Sequence, residues 1–228
     1  MAKILVTAGP TREPIDPVRF LSNESSGRMG FAIAAAAQAA GHEVTLIAGP
    51  VHLPTPAGVR RIDVVTAREM LTTLKEHFAT CDALYMAAAV ADWRPKKVLS
   101  GKWRAKDGGT QTTSLELVRN PDLLATVARA KLRGKVRTVV GFALESGDGE
   151  ARARAKLRRK NLDFVVLNGP AALNATRTSV IIHGADGTRV ALMNRTKEAV
   201  ARALVGLVAR PVRVAVPSRR TKAEKAAR

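Results

Sequence analysis

Hydrogen-bond donors crowd one short turn near the amino terminus: Asn23, Ser25, Ser26 and Gly27, with Arg19 just before them and Arg28, Met29 and Gly30 just after. A helix that begins near Ser26 leaves its first amide groups without intrahelical partners, and small residues let an anion approach that backbone closely. Phosphate recognition is the first chemistry this turn offers. Gly27 and Gly30 would equally let a helix lie close against its neighbour, and spacing alone leaves both readings open. The turn is not the dinucleotide fingerprint G-x-G-x-x-G, because sixteen residues separate Ala8 from Ser25 and the fingerprint follows its strand directly. That argues against a nicotinamide-dependent oxidoreductase.

Four further groups carry candidate chemistry. Ala87 to Asp92 closes an apolar run with small residues, which leave room for a flat base where ligands bind in open α/β sheets. Asp92 there suits a ribose hydroxyl, a metal riding on a phosphate chain, a helix cap or an arginine ion pair. Lys96, Lys97, Lys102, Arg104 and Lys106 surround Trp103 in a basic stretch, which suits a phosphate clamp, a nucleic-acid contact or a solvated loop. Asn120-Pro121-Asp122 has the chemistry of a helix start, and Phe142, at a strand end, either stacks on a base or plugs the core. Lys156 and Lys160, four apart, share one helix face where two ammonium groups can hold a polyphosphate or simply face water.

The elements that must position these residues alternate. Strands are expected over Lys3 to Thr7, His42 to Ala48, Arg61 to Val65, Ala83 to Ala89, Leu115 to Val118, Arg137 to Phe142 and Phe164 to Asn168. Helices are expected over Gly30 to Ala40, Ala67 to Ala79, Asn120 to about Lys131, Gly149 to Lys160 and Thr196 to Val208. This rhythm predicts an α/β, doubly wound, mostly parallel Rossmann-like sheet. Ser179 to His183 and Arg189 to Met193, joined through Asp186-Gly187, predict a C-terminal β-hairpin. Trp93 to Gly109 is expected to be irregular.

The 228 residues carry a net charge of +19, a pI near 11.2 and 46% hydrophobic residues. A full core can form, and polyanions are the natural partners: nucleic acid, an anionic membrane or phosphorylated metabolites. Aromatic residues make up 4%, which offers few stacking platforms for nucleic acid. Cys81 is the only cysteine, so no intramolecular disulfide forms and a reducing cytoplasm fits. No apolar run reaches the roughly 18 residues of a membrane-spanning helix. Residues 1–208 read as one nucleotide-binding domain. Residues 209–228 read as a disordered basic tail, with seven Lys and Arg against the single acid Glu224.

Taken together, GPTREPIDPVRFLSN, SSGRMG with its alanine-rich helix, AAAVADWR, the lysine ten residues beyond Asp92, LVRNPDLL, VGFALE and KLRRKNLD resemble bacterial phosphopantothenoylcysteine synthetases. These are the ligase half of the coenzyme A biosynthesis flavoprotein, and the resemblance runs from about Ile4 to Val208. It implies that CTP activates 4′-phosphopantothenate as an acyl-cytidylate with loss of pyrophosphate, and that cysteine's amine then displaces CMP. It also implies magnesium, a homodimer and a cytoplasmic location.

By the same resemblance, base and ribose lie against Ala88, Ala89 and Asp92, and the triphosphate lies near Ser25, Ser26, Gly27 and Lys102. Pro121, Asp122, Leu123 and Leu124 border the nucleotide, with Phe142, Lys156 and Lys160 closing over it. Asn23 handles the acyl-nucleotide, Arg19 serves the second half-reaction and Lys102 neutralises the α-phosphate; the metal ligands stay unassigned. Two segments depart from the family pattern: Lys102-Trp103-Arg104-Ala105 stands where Lys-Ile-Lys-Lys is usual, and Leu173 to Thr178 lacks the usual glycine, serine and acidic residues. No flavin-binding decarboxylase half lies between Met1 and Lys3, so the chain is read as a stand-alone ligase with a separate decarboxylase partner or as a piece of a longer protein. The other readings are a basic nucleic-acid-binding protein on an α/β scaffold and a nucleotide-dependent oxidoreductase.

Overall fold

Eight strands form one sheet in the order β5-β4-β1-β6-β9-β10-β11-β12. In the computed structural model, which describes residues 1–104, 113–131, 138–172 and 175–208, these are β1 (Lys3–Ala8), β4 (Glu43–Ala48), β5 (Arg60–Asp63), β6 (Ala83–Met86), β9 (Thr138–Leu144), β10 (Phe164–Asn168), β11 (Arg177–Gly184) and β12 (Arg189–Thr196). The first six are parallel, and the last two add an antiparallel hairpin onto β10. Counted along the chain, the parallel strands follow the order 3-2-1-4-5-6, which reverses between β1 and β6 and opens a crevice beyond their carboxyl ends. The expected wound sheet and terminal hairpin are both present.

Apolar runs in the central strands are buried on both faces, as parallel sheets require. One face packs α1 (Arg28–Ala39) and α5 (Lys197–Val208) around Phe31, Ile33, Ala34, Ala37, Val200 and Leu204. The other packs α2 (Ala67–Phe78), α3 (Leu123–Lys131) and α4 (Gly149–Arg159) around Met70, Leu74, Phe78, Leu123, Val127 and Leu157. Met70, Leu74 and Phe78 recur every fourth residue and so share the inner stripe of α2. That helix starts with a full capping box, Thr66 and Glu69 each accepting the other's backbone amide.

Three expectations change. The opening loop is not featureless: β2 (Arg12–Pro14) pairs antiparallel with β3 (Phe20–Ser22). The stretch after Asp92 likewise contains β7 (Trp93–Pro95), paired with β8 (Leu117–Arg119). The strand expected near Leu115 therefore leaves the main sheet and joins a second ribbon; it alternates exposed and half-buried positions, unlike the central strands. Finally, β6 ends at Met86, because the Thr7 side chain accepts the Ala88 amide at 3.3 Å and draws the chain out of the ladder. Ala89 keeps only an isolated bridge to Pro10. The expected basic tail, Lys106, Leu173 and Asn174 lie outside the described residues. Among the described residues no helix is long and apolar enough to cross a membrane.

Candidate active site

Two threonines fix the floor of the crevice. Thr7 holds the Ala88 amide, and Thr11 Oγ1 accepts the Ala91 amide at 3.0 Å. Ala87 to Asp92 is thus stretched beyond β6 with its small side chains free to meet a ligand. The Asp92 side chain is exposed and makes no hydrogen bond or ion pair among the described residues, so the cap and arginine-pair readings are not realised.

The start of α1 forms one wall. The helix begins at Arg28, between the start near Ser26 and the Gly30 boundary expected from the sequence, because Gly27 adopts a left-handed conformation with φ 73°. Glycine takes that conformation at no steric cost, because it has no Cβ. No side chain caps this end, so the amides of the first turn remain open to an anion. Gly30 has the packing role: a Cβ there would stand 2.5 Å from the Cβ of Ala8. Gly27 is thus required by its backbone conformation and Gly30 by close packing.

The opposite wall comes from α3 and α4. Asp122 accepts the Ala125 amide at 2.8 Å, capping α3, and receives a hydrogen bond and ion pair from Lys160. Partial burial would raise the Asp122 pKa, but the Lys160 hydrogen bond and the Ala125 amide outweigh it and hold the carboxyl below its usual value. Lys156 donates to the Phe142 carbonyl at 2.6 Å. Burial pushes its ammonium below the ordinary lysine value, with Glu145 opposing.

These walls enclose two adjoining cavities that share Ala88, Val90, Asp92, Phe142 and Lys156. One, of about 540 Å³, is bordered by Trp93, Arg119, Pro121, Asp122, Leu123, Leu124 and Lys160. The other, of about 520 Å³, is bordered by Asn23, Ser25, Ser26, Gly27, Ala89 and Lys197. Asn23 donates to the Ala89 carbonyl at 3.3 Å. A cleft with a flat, alanine-lined floor, cationic walls and an open helix start suits a nucleotide drawn out along its length.

Fourteen of the sixteen expected site residues line this cleft. Arg19 and Lys102 do not. Arg19 is held by the Asp16 carboxylate at 2.9 Å and by the Trp103 carbonyl, and Lys102 lies exposed beside Trp103. Asp16 is the hub of this cluster, accepting the amides of Val18, Arg19 and Trp103 at 2.7, 2.7 and 3.0 Å. Its burial would raise its pKa, but these amides and the Arg19 charge lower it to about 2. Sequence reasoning missed Asp16, and it also missed Arg119, Thr178 and Lys197 in the cavity walls. Lys197 carried no signal beyond standing at a helix start.

A family model described as the DNA/pantothenate metabolism flavoprotein C-terminal domain matches residues 1–212. The chain belongs to that family. It is 42% identical over 210 residues to the coenzyme A biosynthesis bifunctional protein CoaBC of Vibrio cholerae, covering 90% of this chain and 52% of that protein. It is 43% identical over 217 residues to the protein of the same name from Mycobacterium bovis, covering 90% and 51%. The chain spans about half the length of the curated relatives it matches. Among solved structures, the C-terminal domain of a CoaBC protein superposes with a TM-score of 0.77 at 38% identity, over 91% of this chain and 93% of that one. A family protein from Streptococcus pneumoniae shares the fold at 22% identity and a TM-score of 0.78, over 92% and 99%.

Proposed function

We propose that this domain is a phosphopantothenate–cysteine ligase that uses CTP and works through an acyl-cytidylate. The observation that carries the reading is the two-part cleft at the reversal point of the sheet, bounded by an open helix start and by Lys156 and Lys160. Family membership and the CoaBC relatives support the same chemistry.

A carboxylate is a poor electrophile, so amide formation needs an activated acid. In this reading a carboxylate oxygen of 4′-phosphopantothenate attacks the α-phosphorus of CTP, and pyrophosphate leaves with the bonding electron pair. The cysteine amine then attacks the acyl carbon, the carbon–oxygen bond to the nucleotide breaks, and CMP departs. Base and ribose lie on Ala88, Ala89 and Asp92, bordered by Pro121 to Leu124 and Phe142. The amides after Gly27, with Ser25 and Ser26, bind phosphate oxygens, and Asn23 holds the acyl-nucleotide.

Fixed cations stabilise charge that develops as pyrophosphate leaves. The family resemblance gives Lys102 this role at the α-phosphate, and gives Arg19, tied to the Lys102 segment through Asp16 and Trp103, the amine step. The Asp92 carboxylate, without a partner among the described residues, fits magnesium, which binds through one or two carboxylates and the phosphates themselves; bound there, the ion would neutralise phosphate charge.

A homodimer completes the proposal. Val18, Phe20, Trp93, Val98 and Leu117 are large apolar side chains left exposed on or beside the two ribbons, a surface suited to a second copy. The cytoplasm is the compartment this chemistry calls for, with a flavin-dependent decarboxylase as the partner that receives the product. The deciding test is pyrophosphate release from CTP and 4′-phosphopantothenate before cysteine is added, with mass analysis of the intermediate. Activity only with DNA, or only with a nicotinamide cofactor, would overturn the assignment.

A further inference from the structure

Lys197 is 7% exposed and Thr178 is 5% exposed, and both line the cavity that holds the α1 amino terminus. Thr178 Oγ1 is buried without a hydrogen-bond partner among the described residues. Lys197 likewise makes no hydrogen bond or ion pair among them. Three conditions make its place unfavourable for a cation. It is buried, which disfavours the charged form; it stands at the first position of α5, where the helix dipole repels cations; and Arg28, on the facing helix start, is close enough to push its ammonium below the ordinary lysine value, against the pull of Glu198.

An anion between the two helix starts would offset all three, by pairing with the buried ammonium and by screening it from Arg28 and the helix dipole. We propose that Lys197 and Thr178, facing the open turn of α1 and joined by Arg28, form the receptor for the two outer phosphates of the nucleotide and for the pyrophosphate that leaves. The proposal rests on the nucleotide reading of the cleft and adds to it a cation from the far end of the chain. The acids on this cavity, Glu24 and Asp92, are both exposed, so neither neutralises the buried ammonium. In the reaction the phosphorus–oxygen bond to the β-phosphate breaks, and the charge appearing on pyrophosphate forms beside Lys197.

Calorimetric titration with inorganic pyrophosphate and, separately, with CMP tests the assignment on the intact chain. Lys197→Met should weaken pyrophosphate at least about tenfold while CMP affinity stays within about twofold, and Lys197→Arg should restore most of the loss. Thr178→Val should weaken pyrophosphate about fivefold. Melting gives an independent measure, because removing a buried, unpaired cation should raise the melting temperature of ligand-free Lys197→Met and abolish the rise that pyrophosphate gives the wild type. Equal pyrophosphate binding by wild type and Lys197→Met would overturn the receptor and leave the nucleotide cleft standing. A wild type that binds neither probe would overturn the cleft reading itself.

Discussion

Lys156 Nζ donates to the carbonyl oxygen of Phe142 at 2.6 Å, at the place where the two halves of the cleft meet. The bond holds an ammonium where the two cavities adjoin and fixes the end of β9 beneath it. Lys156→Met keeps the bulk and removes the charge. Losing one charged hydrogen bond is worth about 2 kcal/mol, so CTP should bind about 30-fold more weakly. A CTP titration checks this; unchanged affinity would remove Lys156 from the site.

Asn23 gives up its one side-chain bond, to the Ala89 carbonyl, if it becomes a carboxylate. Asn23→Asp would also set a negative charge where the proposed acyl phosphate would form. Pyrophosphate release should continue while amide formation falls by about 100-fold, a loss of about 3 kcal/mol of transition-state stabilisation. Separate assays of the two half-reactions decide it, and normal amide turnover would take Asn23 out of the mechanism.

Asp16 sets an acid limit on the site. Its folded pKa of about 2 lies below the ordinary 3.8, so its stabilising contribution is complete above the ordinary value and fades as pH falls toward the folded one. Asp16→Asn should melt lower than wild type at pH 7 and lose less between pH 4 and 2. Ligase turnover should fall with it, since Arg19 and the Lys102 segment lose their common anchor. Parallel melting curves for the two proteins across that pH range would refute the hub.

Glu13 is 1% exposed, and its carboxylate accepts the Ala67 amide at 2.9 Å at the start of α2. Glu13→Ala removes that cap and leaves a buried donor unpaired, a loss of about 2–3 kcal/mol. Urea denaturation should show the midpoint fall with little change in slope. A midpoint within error of wild type would mean the carboxylate contributes nothing there.

The sheet was legible because its strands are short apolar runs separated by helices with regular four-residue spacing, as at Met70, Leu74 and Phe78. The ribbons were legible only at β8, which overlaps the strand expected over Leu115 to Val118. Arg12 to Pro14 and Trp93 to Pro95 each span three residues and contain a proline, so they show no period to read. Most cleft residues were found because they sit in consecutive motifs at strand ends. Asp16 escaped notice because its importance lies in meeting Trp103 across 87 residues of chain, and Lys197 because a lysine at a helix start usually signifies solvent contact. The two glycines show the limit of spacing: Gly27 is needed for its backbone and Gly30 for its missing side chain, and only coordinates separate the two.

Glu13 belongs to the same loop as Asn23 and Ser26, yet its carboxylate ends on α2, across the sheet from α1. The loop is therefore a strap around the sheet's end, fastened to helices on opposite sides. A lesion at Thr66 or Ala67 would slacken the turn that opens α1. Loss of turnover from such a change would report a loosened anchor rather than a missing chemical group, and mutational maps of this fold will merge the two unless folding and catalysis are measured on the same samples.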